Sequence, residues 1–135
     1  MTTRTCMLCE TGQMTLETRT VKASLDGLTQ EVSDVRGWFC DQCGEIDFAD
    51  SDSAARYASA MDNLVIERRR QRGKEVRRIR TRLRLTQKAA AEVFGGGVNA
   101  FSRYERGEVD PPRALVKFLR VLDRHPELLD EAKQA

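Results

Sequence analysis

Four cysteines are the residues of this chain best placed to do chemistry. They stand as two Cys-x-x-Cys pairs, Cys6/Cys9 and Cys40/Cys43, and use every cysteine in the sequence. A Cys-x-x-Cys turn aims two thiolates at one point, so two such turns make a tetrahedral four-sulfur shell suited to zinc. Gly12 follows the first pair and Gly44 directly follows the second, in keeping with tight turns. A shell of four thiolates leaves no position for water, so the expected ion is structural, one Zn2+ per chain. A disulfide is the competing use of such pairs, and a reducing cytosol disfavours it. A redox dithiol would need one pair only and a thioredoxin-like βαβ setting, which the sequence lacks. His125 is the only histidine and has no vacancy to fill in such a shell. No catalytic constellation accompanies the cysteines: there is no G-x-S-x-G, and Gly95-Gly96-Gly97 lacks the Lys-Ser/Thr of a phosphate loop. The chain is therefore expected not to be an enzyme.

A second chemistry is carried by Asn99 and Arg103. They lie four residues apart, so a helix projects both from one face. Asn can pair bidentately with adenine and Arg with guanine in the major groove. Their setting is Leu85 to Gly107, LTQKAAAEVFGGGVNAFSRYERG. Thr86 is a good N-cap for a helix over Gln87 to Phe94, with Ala90, Val93 and Phe94 apolar. The three glycines permit a sharp turn. A second short helix is expected from about Val98, with Val98, Phe101 and Tyr104 facing inward. Helix, turn and reading helix make a helix-turn-helix. Gln87, Lys88 and Ser102, on the same two helices, complete the expected DNA-contacting set.

The elements that must position these groups follow from patterning. Met14 to Val21 alternates and is rich in Thr, and Leu28 to Val35 is a second extended run. Asp26-Gly27 lies between them, a strong hairpin signal. The hairpin fills the thirty residues between the cysteine pairs, and Trp38, Phe39, Ile46 and Phe48 are expected to cover it and shield the metal. Asp50-Ser51-Asp52-Ser53 offers caps for a helix from about Ala54, with Tyr57, Met61, Leu64 and Val65 in one stripe. Gly73 marks a break or hinge. Val76, Ile79 and Leu83 then give the first helix of the DNA-binding part its apolar face. Asp110 is read as the cap of a helix over Pro112 to Arg124, with Leu115, Phe118, Leu119 and Leu122 inward and a surplus of apolar residues left for a dimer contact. A last helix begins at Pro126.

Charge divides the same way. Residues 1–63 hold 5 Lys and Arg against 11 acids, and residues 64–135 hold 18 against 10. Ten of those basic residues, against two acids, fall between Glu67 and Arg84, next to the helix-turn-helix, where phosphate contact is expected. The fold class expected is α+β. A small four-cysteine zinc domain with a β-hairpin, residues 1–67, precedes an all-α helix-turn-helix domain of about five helices, residues 68–135. About fifty residues bury too little to fold securely alone, and metal binding would supply the remainder. No run is long and apolar enough to span a membrane, and the N-terminus lacks a secretory h-region, so a cytoplasmic location is expected.

The pattern LTQ…A…FG…Ser-Arg-Tyr-Glu-Arg-Gly resembles the XRE/Cro-type helix-turn-helix. The run Phe94 to Glu105, FGGGVNAFSRYE, together with Lys117 to Leu129, KFLRVLDRHPELL, and the four cysteines, resembles the MqsA-type antitoxins. The likeness spans most of the chain, and the hairpin and linker match poorly. The resemblance implies an N-terminal zinc domain that holds an MqsR-type ribonuclease toxin. It implies a C-terminal domain that dimerises and represses the protein's own operon at a palindromic operator in double-stranded DNA. It also implies a structural ion pair between Arg80 and Glu105. The residues by themselves argue only for zinc and specific DNA binding, which also suits a stand-alone XRE-type regulator whose zinc domain senses a metal or small ligand.

Overall fold

The computed structural model describes residues 2–135, which fall into two compact units dividing between Val65 and Ile66. The first holds a four-stranded antiparallel sheet in the order β1-β2-β3-β4: Thr3–Thr5, Gln13–Leu25, Leu28–Cys40 and Ile46–Phe48. Strands β2 and β3 form a long hairpin closed by Asp26-Gly27. Both loop residues have positive φ, 49° and 82°, as the two-residue turn that matches strand twist demands. The strands run several residues further than the alternation in the sequence suggests, down to the second cysteine pair. Short β1 and β4 flank the hairpin at that end, so the sheet is more than the two-stranded hairpin expected.

Between the pairs Arg19↔Val35 and Val21↔Val32 the register shifts, with Asp34 in the left-handed region at φ 54°. One extra residue on β3 forms this bulge. The Arg56 guanidinium donates to the carbonyls of Ser33 and Asp34 and so satisfies the acceptors the bulge turns aside. Ala23, Val32, Val35 and Phe39 on the sheet pack with Ala60 and Leu64 to make this unit's core.

Helix α1, Ser51–Arg82, is continuous. It starts earlier than the apolar stripe implied. Asp50 accepts from the Ser53 N–H at 2.6 Å, and that hydrogen bond holds its carboxyl below the usual carboxylate range. Buried Ser53 in turn accepts from the Arg36 N–H at 3.0 Å, tying the helix start to β3. Gly73 does not break the helix. It is buried, and a Cβ there would lie 2.5 Å from the Tyr104 carbonyl oxygen. The glycine serves a close backbone approach rather than a bend.

The second unit packs α2 (Gln87–Phe94), α3 (Ala100–Glu105) and α4 (Arg113–Arg124) with the C-terminal part of α1, followed by a 3₁₀ turn, Pro126–Leu128, and α5, Leu129–Gln134. Its core joins Val76, Ile79 and Leu83 to Ala90, Phe101, Tyr104, Leu119 and Leu122. The expected α+β class with a small hairpin domain and about five helices holds. Three details differ. Asp110 caps nothing: α4 begins after Pro112, and Asp110 accepts from Arg68 and Arg69 at 3.0 and 3.3 Å. The face α4 buries is Val116, Leu119 and Leu122, whereas Phe118 is exposed. Val98 points outward and is 77% exposed. Among the described residues no helix is long and apolar enough to cross a membrane.

Candidate metal centre and nucleic-acid interface

The four cysteines converge. Their Sγ atoms all lie within 4.8 Å of one another, with Cys6–Cys43 at 3.8 Å and Cys9–Cys40 at 3.7 Å. All four are free thiols. Each pair lies in a turn whose backbone N–H groups point at sulfur. The Gly12 N–H donates to Cys9 at 3.3 Å, and the N–H groups of Gln42 and Cys43 donate to Cys40 at 3.4 and 3.5 Å. The residue directly after each pair adopts positive φ: Glu10 at 61° and Gly44 at 76°. Reciprocal bonds join the two turns. The Asp41 N–H donates to the Gln13 carbonyl, and the Gln13 N–H donates to the Asp41 carboxylate at 2.9 Å.

Gly12 is needed for a reason the sequence does not disclose. A Cβ at that position would overlap the Cys40 sulfur. Met14 is buried against Cys6 and Cys40, and Trp38 packs beside them with the Arg4 guanidinium 4.3 Å over its ring.

The four sulfurs act on one another electrostatically. Hydrogen bonds from the backbone N–H groups of Thr11 and Gly12 pull the Cys9 thiol down to about 6. At Cys43 the backbone bond to Glu45 also favours the thiolate. Loss of solvent and the three neighbouring sulfurs outweigh it and push that thiol up to about 12. Four sulfurs this close cannot all ionise unaided, and a cation at their centre removes the repulsion. The cluster is positioned to bind a metal ion.

The second site lies on α2 and α3. Thr86 caps α2, its hydroxyl accepting from the Ala89 N–H at 3.0 Å. Gly95, Gly96 and Gly97 all have positive φ, between 84° and 97°, which a Cβ would strain. They let the chain reverse into α3, which starts at Ala100, two residues later than the sequence suggests. Asn99 is the cap residue and is exposed, with no side-chain capping bond. Arg103 is 53% exposed, its guanidinium 3.8 Å from Glu108. Lys88 is exposed, and Gln87 and Ser102 are half-buried.

Glu105 faces the other way. Arg80 donates to both its carboxylate oxygens at 2.8 Å and to the Leu85 carbonyl at 2.8 Å, with the two side chains only 15% and 6% exposed. That fork fixes α3 to α1 and to the start of the α1–α2 connection.

The basic run near α1 is less free than its composition suggests. Arg68 and Arg69 meet Asp110, Arg70 meets Glu67, and Arg78 and Arg82 share Asp123. Arg120 on α4 pairs with Glu75 at 2.6 Å. Lys74, Arg77 and Arg84 make no such pair among the described residues.

Both sites and the intervening sequence fall within one family. The family model for the antitoxin component of a bacterial toxin–antitoxin system, MqsA, matches residues 4–133. The chain belongs to the MqsA antitoxin family. The Antitoxin MqsA of Escherichia coli (strain K12) is 35% identical over 130 residues, covering 95% of this chain and 98% of that protein. A solved structure, the N-terminal domain of the E. coli protein MqsA, overlaps 45% of this chain and 90% of its own length at 15% identity and a TM-score of 0.36. Within this MqsA-family chain, Glu10 is the position that sequence reasoning missed, because its conformation is set by the closed turn. Gly12 and Gly73 stand out in the sequence as a turn residue and a helix break, but the neighbours that demand them, Cys40 and Tyr104, are distant.

Proposed function

We propose that this chain is the antitoxin of a type II toxin–antitoxin pair, neutralising a ribonuclease toxin through its N-terminal unit and repressing its own operon through its C-terminal unit. The observation that carries the reading is the coexistence of a four-sulfur centre and a solvent-facing Asn99/Arg103 pair in a chain matched to the antitoxin family over residues 4–133.

The ion is zinc, held by Cys6, Cys9, Cys40 and Cys43. Four thiolates at 2.3 Å from a tetrahedral centre are spaced about 3.8 Å apart; two pairs here stand at 3.7 and 3.8 Å, and all four sulfurs lie within 4.8 Å. Zinc in such a shell supplies folding free energy and no reactive position.

The toxin is an MqsR-type ribonuclease bound by residues 1–67. A ribonuclease binds a polyanion and presents a basic surface. An acidic domain with 11 acids against 5 basic residues in positions 1–63 is steered to it and away from DNA. Residues 68–135 bind double-stranded DNA. Asn99 and Arg103 read bases with Gln87, Lys88 and Ser102 beside them, and the Arg80–Glu105 pair holds the reading helix without touching DNA. A single reading helix covers few base pairs, so a two-fold dimer on a palindromic operator follows. Exposed Phe118 and Val121 on α4 and Leu128 after it are available for that contact.

The test is to co-express the full chain with the small protein encoded beside it. Co-purification, loss of the partner's ribonuclease activity and protection of the chain's own promoter are expected. A chain that protects the promoter but binds no neighbour would be the stand-alone regulator instead.

A further inference from the structure

Val98 is 77% exposed, although it sits between a glycine turn and a helix whose other apolar residues, Ala100, Phe101 and Tyr104, are buried. It belongs to no apolar cluster of the unit. Isolated exposed apolar residues are ordinary on protein surfaces, so exposure alone says little. Location says more. Val98 lines an open cleft of about 310 Å³ with Gly97, Asn99 and Arg103. Those neighbours include the two residues assigned to base edges. Gly97, just before it, carries no side chain, and a Cβ there would meet nothing within 4 Å. The unit that carries it has 18 Lys and Arg against 10 acids from position 64 onward, a balance suited to DNA and poorly suited to another basic surface.

The major groove offers one apolar feature, the C5-methyl group of thymine, and short aliphatic side chains are its usual contact. We propose that Val98 is a specificity-determining residue that packs its isopropyl group on a thymine methyl next to the base read by Asn99. The proposal rests on the DNA-binding reading above and adds a base that no hydrogen-bonding side chain of the site would select. It explains why an aliphatic residue occupies the exposed position just ahead of the cap of the reading helix, where a polar side chain would be as soluble and would cost the fold nothing.

Deoxyuridine differs from thymidine only by that methyl, so it isolates the contact. Full-length protein would first recover its site from a random duplex pool. Each thymine of the recovered half-sites would then be replaced in turn by deoxyuridine and bound by the wild type and by Val98→Ala. Because Val98 is exposed, the variant keeps its fold, and its melting curve checks this. The expected result is one thymine per half-site at which loss of the methyl weakens wild-type binding about fourfold, with a smaller loss for Val98→Ala, whose single methyl covers less of it. If no deoxyuridine substitution weakens the wild type, or if the variant is weakened equally, the methyl contact is wrong while base reading by Asn99 and Arg103 stands. If the pool yields no preferred site, the DNA-binding reading itself fails and takes this inference with it.

Discussion

Single side chains carry most of what can be tested at both sites. Glu105 is 6% exposed and accepts two 2.8 Å bonds from Arg80. Glu105→Ala leaves a guanidinium buried without its carboxylate, which costs roughly 3–5 kcal/mol. Thermal melting should show the C-terminal unit losing most of its stability, and a change under ~1 kcal/mol would mean that the pair is not what holds α3. Asn99→Ala and Arg103→Ala make the opposite case. Both residues are exposed, so folding should be unaffected while affinity for the cognate site falls by ~1–3 kcal/mol. Arg103 must leave Glu108 to reach a base, and an exposed pair at 3.8 Å holds it by little. Gly12→Ala drives a methyl into the Cys40 sulfur. Elemental analysis of that variant should find well under one of the proposed zinc ions per chain, and full occupancy would contradict the packing described.

At the scale of elements, Gly73 and the ion pairs of α1 and α4 decide the arrangement. Helix propensity alone makes Gly73→Ala stabilising by about 1 kcal/mol. The added Cβ, however, would meet the Tyr104 carbonyl at 2.5 Å and that of Glu105 at 3.0 Å, both backbone atoms that cannot swing aside. The expected outcome is a lower melting temperature and weakened operator binding; a raised melting temperature would show that α3 can shift freely.

The same two helices make stability pH-dependent. Bonding to Arg120 holds Glu75 below the usual carboxylate range, and bonding to Arg78 does so for Asp123. A carboxyl with a depressed value in the folded state stabilises fully above its unfolded value, about 4, and loses that contribution as pH falls through the folded value. Acid titration followed by far-ultraviolet dichroism should show no loss of these helices' stability between about pH 7 and 5, with the decline beginning below about pH 4.

Periodic or local features were legible in the sequence. The cysteine spacing, Asp26-Gly27, Thr86 and the α1 stripe depend on neighbours within one turn or one hairpin. What escaped depends on distant partners. Gly73 looks like a helix breaker because its reason, the end of α3, lies some thirty residues away. Asp110 looks like a cap because Arg68 and Arg69 are forty residues away. Val98 looks like core because apolar residues at helical spacing do not tell a packed side chain from an exposed one, and α3 starts only at Ala100.

At the scale of the molecule, the proposed division is between a metal-shaped acidic module for the toxin and a basic helical module for the operator. Each unit has its own apolar core, and the four-sulfur centre lies wholly in the first. Losing the metal, zinc on the proposed reading, should therefore unfold only the first unit, since a domain this small gains folding free energy from a bound metal. The most direct measurement takes the full chain with its toxin partner and its operator, before and after a zinc chelator. Ribonuclease inhibition and operator affinity are read from the same samples. Chelation is expected to restore the ribonuclease and to leave operator affinity within about twofold, because all four cysteines lie outside the second unit. Loss of both together, or retention of inhibition by the metal-free chain, would contradict the division of labour between the two units.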